Sequence, residues 1–229
     1  MHKTVQNLIN IQNLINSKQS LLKNHKIIPN IIAVSKTFKL DNILPLIEHG
    51  HTDFGENKVQ EAIEKWSEIK SKNNKIRLHL IGKLQTNKVK ISLKLFDFIH
   101  SLDNERLAKK ISEEQKKQNL KPRLFIQVNI GNESQKSGIH IQKLGEFYNY
   151  CKELDLNIIG LMCIPPIDDD PEISFSRMNY LKKKMNLEEL SMGMSADYLI
   201  AINFNSTYLR IGSEIFGQRL KTINTRILN

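Results

Sequence analysis

Eight times along this chain, a short apolar stretch with β-branched residues gives way to a segment of helical periodicity. Strands that alternate with helices pair in parallel, because parallel neighbours need a long crossover that a helix supplies. The expected strands cover residues 31–36, 51–54, 78–81, 96–102, 124–130, 156–164, 187–191 and 208–212. An amphipathic helix precedes them, with Val5, Leu8, Ile9, Ile11, Leu14, Ile15, Leu21 and Leu22 approximating one stripe, ending between His25 and Pro29. Eight repeats within 229 residues fit one closed (β/α)8 barrel of the TIM type with an extra N-terminal helix. The rival is an open doubly wound sheet. It would carry G-x-G-x-x-G after the first strand, and no such run is there. No linker or composition break divides residues 1–229, so a single domain is expected.

Local signals place several boundaries. Asp41 and Asp103 read as helix caps, and Gly50 as a helix stop. Trp66 falls on the apolar face of its helix and reads as core. Asp168, Asp169 and Asp170 are consecutive and cannot all face one cation in regular structure. They read as a helix-entry loop rather than a metal site. Residues 192–195 read as the turn that leaves the seventh strand.

Hydrophobic residues make up 40% of the chain, enough for a sizeable core, and no apolar run reaches membrane-spanning length. The N-terminus lacks an apolar signal core, and Cys151 and Cys163 form neither a disulfide framework nor a ligand pair. A cytoplasmic protein with a core thiol at Cys163 is expected. The formal charge of +10 raises the question of nucleic acid. The lysines are scattered and only 7% of residues are aromatic, so nucleic acid is not the expected ligand. The charge would still attract a small anion.

Lys36 stands at the exit of the first strand. Near apolar walls an ammonium loses protons more easily, and the neutral amine can attack an aldehyde. A lone strand-end lysine is more often simply solvated, so its neighbours decide. A barrel puts all strand exits on one face, and closure makes the eighth strand the neighbour of the first. Lys36, Ser195 and Arg210 should therefore converge. The loops after strands seven and eight commonly bind phosphate in this fold. Here they hold Ser191 to Ser195 and Gly212 with Ser213, small and hydroxylated residues before helix N-termini. An amine-bearing lysine beside a phosphate cradle points to pyridoxal phosphate (PLP).

Seven stretches then make the chain resemble the pyridoxal phosphate homeostasis protein family, whose barrel is similar to the N-terminal domain of alanine racemase. They are residues 33–37, 54–61, 79–82 with 84–88, 134–138, 160–162, 191–195 and 210–217. The resemblance implies that Lys36 carries the cofactor as a Schiff base and that Arg210 faces the pyridine nitrogen. Ser195, Gly212 and Ser213 would hold the phosphate, with Ser191 assisting. Asn57, His79 and Met162 would line the ring pocket. Asn57 also reads as a helix cap, His79 as a satisfied barrel-interior histidine, and Met162 as core. Three positions depart from the family pattern: Lys83, Leu199 and Asn205. Asparagine tolerates left-handed backbone, so the turn at Asn205 should survive.

The resemblance implies a carrier serving vitamin B6 homeostasis, with PLP-dependent apoenzymes as recipients and a monomer or weak dimer as the assembly. The alternative is a racemase-like enzyme. Alanine racemase adds a β domain that supplies a tyrosine base, and the sequence ends at Asn229, so no catalytic residue is assigned. Whether Lys136 forms a second PLP site is left open.

Overall fold

The computed structural model describes residues 1–22, 27–133 and 135–218. Among these, the chain runs α1 (Lys3–Ser20), β1 (Asn30–Val34), α2 (Leu40–Glu48), β2 (Asp53–Glu56), α3 (Val59–Lys72) and β3 (Arg77–Leu80). It continues through α4 (Val89–Leu95), β4 (Phe98–Leu102), α5 (Glu105–Gln118), β5 (Arg123–Asn129), a two-residue β6 (Ile139–His140) and α6 (Leu144–Glu153). Then follow β7 (Ile158–Met162), α7 (Pro171–Lys184), β8 (Glu189–Met194), α8 (Tyr198–Asn203), β9 (Tyr208–Ile211) and α9 (Ser213–Phe216).

Every strand pairing is parallel. The order β4-β3-β2-β1-β9-β8-β7-β5 closes through a β4–β5 pairing, which gives the expected eight-stranded barrel. The closing seam sets Asn30 to Ala33 against Tyr208 to Ile211. The additional β6 pairs with the end of β5, Val128 opposite Ile139, and was not legible from two residues.

Period-two alternation splits the core into two layers. Ile32, Val34, Phe98, Phe125, Met162 and Tyr208 point into the barrel. Their chain neighbours, such as Ile31, Ala33, Ile99, Leu124 and Leu161, join the larger core beneath the helices. Trp66 sits in that outer core against Phe54, with ring centroids 4.8 Å apart. Its indole donates to Glu56 Oε1 at 2.9 Å. Helices α8 and α9 span only six and four residues. The N-terminal α1 packs against both and against α2, which completes the helical layer there. Asn7 Nδ2 donates to the Ile215 carbonyl at 2.9 Å.

Several boundaries differ from expectation. Helix α1 stops at Ser20, before the expected end near His25, itself outside the described residues. Asp41 lies inside the first turn of α2, whose cap position is Lys39. The cap of α5 is Asn104, whose Oδ1 accepts from the Leu107 N–H at 2.8 Å. Both Asp103 and Asn104 can cap, and the end of β4 at Leu102 favours the second. Asp170 caps α7 through the Glu172 N–H at 2.9 Å, so the acidic run does end in a helix entry. Residues 192–194 continue β8 instead of turning. The register slips between Ser191 and Met194, a bulge that needs Gly193 at φ +91°. A Cβ there would lie 2.7 Å from the Ala201 Cβ. Asn205 adopts φ +61°, the left-handed turn its side chain tolerates.

Candidate functional site: the barrel mouth

Strand β1 ends at Val34, and the chain turns at once. The Phe38 N–H donates to the Ser35 carbonyl at 3.1 Å, closing a four-residue turn with Lys36 inside it. Thr37 takes φ +68°, costly for a β-branched residue, by roughly 1–3 kcal/mol. A clamp from α3 holds it there. The Thr37 N–H donates to Glu61 Oε1. Lys65 Nζ reaches Glu61 Oε1 at 3.0 Å, Glu56 Oε1 at 2.9 Å and the Ser35 carbonyl at 2.9 Å. Ser35 Oγ donates to Glu56 Oε1 at 2.8 Å. The turn thus rests on a buried carboxylate and a nearly buried ammonium, which fixes where Lys36 leaves the barrel wall. On the other side, Phe38 stacks on Phe216 of α9 with centroids 4.8 Å apart.

Above the barrel core, Lys36 opens into a cavity of about 350 Å³. That is within the range of small-molecule sites. Its apolar walls are Val34, Phe38, Ile81, Ile164 and Met194. Its polar groups are Asn57, Ser195, Arg210 and Ser213, with Ala196, Gly212 and Gly217 also at the wall. The Gly212 N–H donates to Ser195 Oγ at 3.3 Å, so the β8 and β9 exit loops meet at one hydroxyl. Asn57 does not cap α3, whose cap position is Lys58. It is pressed against Gly82 instead: a Cβ on Gly82 would lie 2.3 Å from the Asn57 carbonyl oxygen.

Arg210 forms part of the cavity floor and is almost wholly buried. Burial lowers its pKa, with the nearby Cys163 and Asp197 opposing. The guanidinium still keeps its charge at neutral pH. Nη2 donates to the Cys163 carbonyl at 2.8 Å and Nη1 to Ser191 Oγ at 2.7 Å. The Cys163 thiol is pushed up to about 12 by burial, against the pull of Arg210, and is no nucleophile at neutral pH.

Six of the nine residues singled out in the sequence meet in this cavity: Lys36, Asn57, Ser195, Arg210, Gly212 and Ser213. His79, Met162 and Ser191 do not line it. They point into the barrel one level lower. Met162 packs with Val34, Phe98 and Phe125. His79 stacks on Phe98 at 4.2 Å and bonds to Asp53 and His100. Ser191 lies beneath Arg210. The residues two positions further along β3 and β7 are Ile81 and Ile164, and these do reach the cavity. The strand period of two was the signal that could have found them. Leu199 packs partly buried against the outer core within α8 and is not in the cavity lining. Lys136 Nζ pairs with Glu133 Oε2 at 2.6 Å in the loop before β6.

A parallel barrel with a lysine, an arginine and two serines at its mouth defines a class. Residues 7–220 match the family model described as alanine racemase, N-terminal domain. A pyridoxal phosphate homeostasis protein from Pasteurella multocida is 35% identical over 225 residues, covering 93% of this chain and 97% of that one. One from Aquifex aeolicus is 36% identical, covering 82% and 86%. The chain belongs to the pyridoxal phosphate homeostasis protein family. Among solved structures it is similar to PipY of Synechococcus elongatus, at 30% identity and a TM-score of 0.77, covering 89% of this chain and 100% of PipY. PipY has also been solved with PLP bound. An alanine racemase of Clostridium difficile, 15% identical with a TM-score of 0.73, shares the fold; the match covers 96% of this chain and 57% of the racemase.

Proposed function

We propose that this chain binds pyridoxal 5'-phosphate reversibly at the barrel mouth and serves vitamin B6 homeostasis without turning a substrate over. One observation carries the reading: an amine, a charged guanidinium and a serine-and-glycine corner line the same cavity, although Lys36 and Arg210 are 174 positions apart in the chain. The donor set fits the group. Ser195, Ser213 and the Gly212 backbone would hold the phosphate, Arg210 would face the ring nitrogen, and Ile81, Ile164 and Met194 would flank the ring beside Asn57. When bound, the cofactor would supply an aldehyde with which the Lys36 amine could condense, water being the leaving group. Arg210 offers donors only, so it would leave the ring nitrogen unprotonated. The net charge of +10 draws in a doubly charged phosphate.

We read the site as that of a carrier rather than of a racemase. The relatives' own names speak of homeostasis. PLP-dependent apoenzymes are the recipients this role implies, in a reducing cytoplasm that suits two free buried cysteines. Incubating the PLP-loaded protein with D- and L-amino acids is expected to leave optical activity unchanged. Sustained turnover of any of them would overturn the carrier reading and leave binding intact.

A further inference from the structure

A single hydrogen-bonded path crosses the barrel interior and ends at Arg210. It begins at Asp53, the first residue of β2, whose Oδ2 pairs with Arg77. Asp53 Oδ1 meets His79 Nε2 at 2.9 Å. His79 Nδ1 meets His100 Nε2 at 3.0 Å, and His100 Nδ1 meets Ser191 Oγ at 2.8 Å. Ser191 Oγ accepts from Arg210 Nη1 at 2.7 Å. No member of the path is more than 4% exposed.

The two ends dictate every link between them. An ionised carboxylate only accepts, and a guanidinium only donates. Burial pushes the Asp53 carboxyl up, but the His79 hydrogen bond and the Arg77 guanidinium outweigh it and hold it below the usual carboxylate range, so it is ionised at neutral pH. Burial holds both imidazoles below their ordinary pKa, so each is neutral and has one N–H. His79 Nε2–H must then face Asp53, which leaves Nδ1 to accept. His100 donates from Nε2, so its own Nδ1 accepts the Ser191 hydroxyl proton. The opposite arrangement would set a bare imidazole nitrogen against a carboxylate oxygen. Every donor along the path therefore points from Arg210 towards Asp53.

We propose that Asp53, His79, His100 and Ser191 are positioning residues for Arg210: a one-way relay, polarised from the far end of the barrel, that holds its guanidinium towards the cavity. Its consequence for cofactor binding rests on Arg210 facing the ring nitrogen. In Asp53→Asn, Arg77 would draw the amide oxygen to itself and leave the amide NH2 facing His79. The first link then reverses, and both imidazoles must move their proton to Nδ1. Ser191 would be left accepting from both sides.

Nitrogen-15 NMR of the imidazoles tests the relay in protein without cofactor. The wild type should show both rings protonated at Nε2 and bare at Nδ1. Asp53→Asn should show both switched, and its dissociation constant for PLP should rise about three- to tenfold, the worth of one hydrogen bond. Wild-type rings protonated at Nδ1, or doubly protonated at neutral pH, would overturn the proposal. So would an Asp53→Asn protein with unchanged tautomers and unchanged PLP affinity. If that variant fails to fold, the wild-type tautomers decide the relay's polarity. Ser191→Ala then tests its consequence and should weaken PLP by the same factor; unchanged affinity would refute it. A wild type with the stated tautomers that never takes up PLP refutes the cofactor reading and not the relay.

Discussion

Lys36→Ala protein is expected to lose covalent retention of PLP and to bind it at least about 100-fold more weakly, a loss of about 2.7 kcal/mol or more. The contacts then left, those proposed at Ser195, Ser213 and Arg210, would be non-covalent. They can localise a phosphate without keeping it through dialysis. The turn around Lys36 is held by bonds from Ser35, Thr37 and Phe38, so the variant should fold, which thermal unfolding would verify. Absorbance of dialysed, PLP-treated protein makes the comparison: the wild type stays yellow and Lys36→Ala does not. A yellow variant would remove Lys36 from its assigned role.

The second large effect concerns stability in mild acid. His79 and His100 are fully buried, and burial lowers the pKa of each from 6.5. Unfolding restores their ordinary proton affinity. Below about pH 6.5 the unfolded chain thus binds more protons than the folded one. Stability is full above that pH and falls as the pH drops towards the depressed folded values. For two such groups the slope reaches about 2.7 kcal/mol per pH unit. Asp53 adds a later loss of the same sign. Its carboxyl is held below an ordinary 3.8, so further stability disappears as the pH falls below that value. Urea unfolding at pH 7.5, 6.5 and 5.5 should show the midpoint constant above pH 6.5 and dropping steeply below it. A midpoint that stays level to pH 5.5 would contradict the buried neutral pair.

The route from sequence to site succeeded where it depended on strand ends. Barrel closure forces the exits of β1, β8 and β9 together whatever lies between them, so Lys36, Ser195 and Arg210 could be grouped across most of the chain. Depth is less legible. The sequence offers two readings each for His79 and Met162, ring pocket or barrel interior, and a strand contributes one inward residue per level; the structure sets both, with Ser191, one level below the cavity lining. Ile81 and Ile164 occupy the level of the lining itself. The relay escaped notice for a different reason. Its links join residues 26, 21, 91 and 19 positions apart, on β2, β3, β4, β8 and β9. No local pattern relates such positions; only the register between strands does. The capping errors were smaller. Asp103 and Asn104 are chemically able to do the same work, and the point where β4 ends chooses between them.

The central claim is that Lys36 Nζ is the amine that holds the cofactor. Borohydride reduction of PLP-loaded protein, followed by proteolysis and mass mapping, measures this directly. The predicted result is a single pyridoxyl label, near one equivalent, on the peptide that contains Lys36. A label on any other lysine in its place, or no label on protein that has visibly taken up PLP, would contradict it.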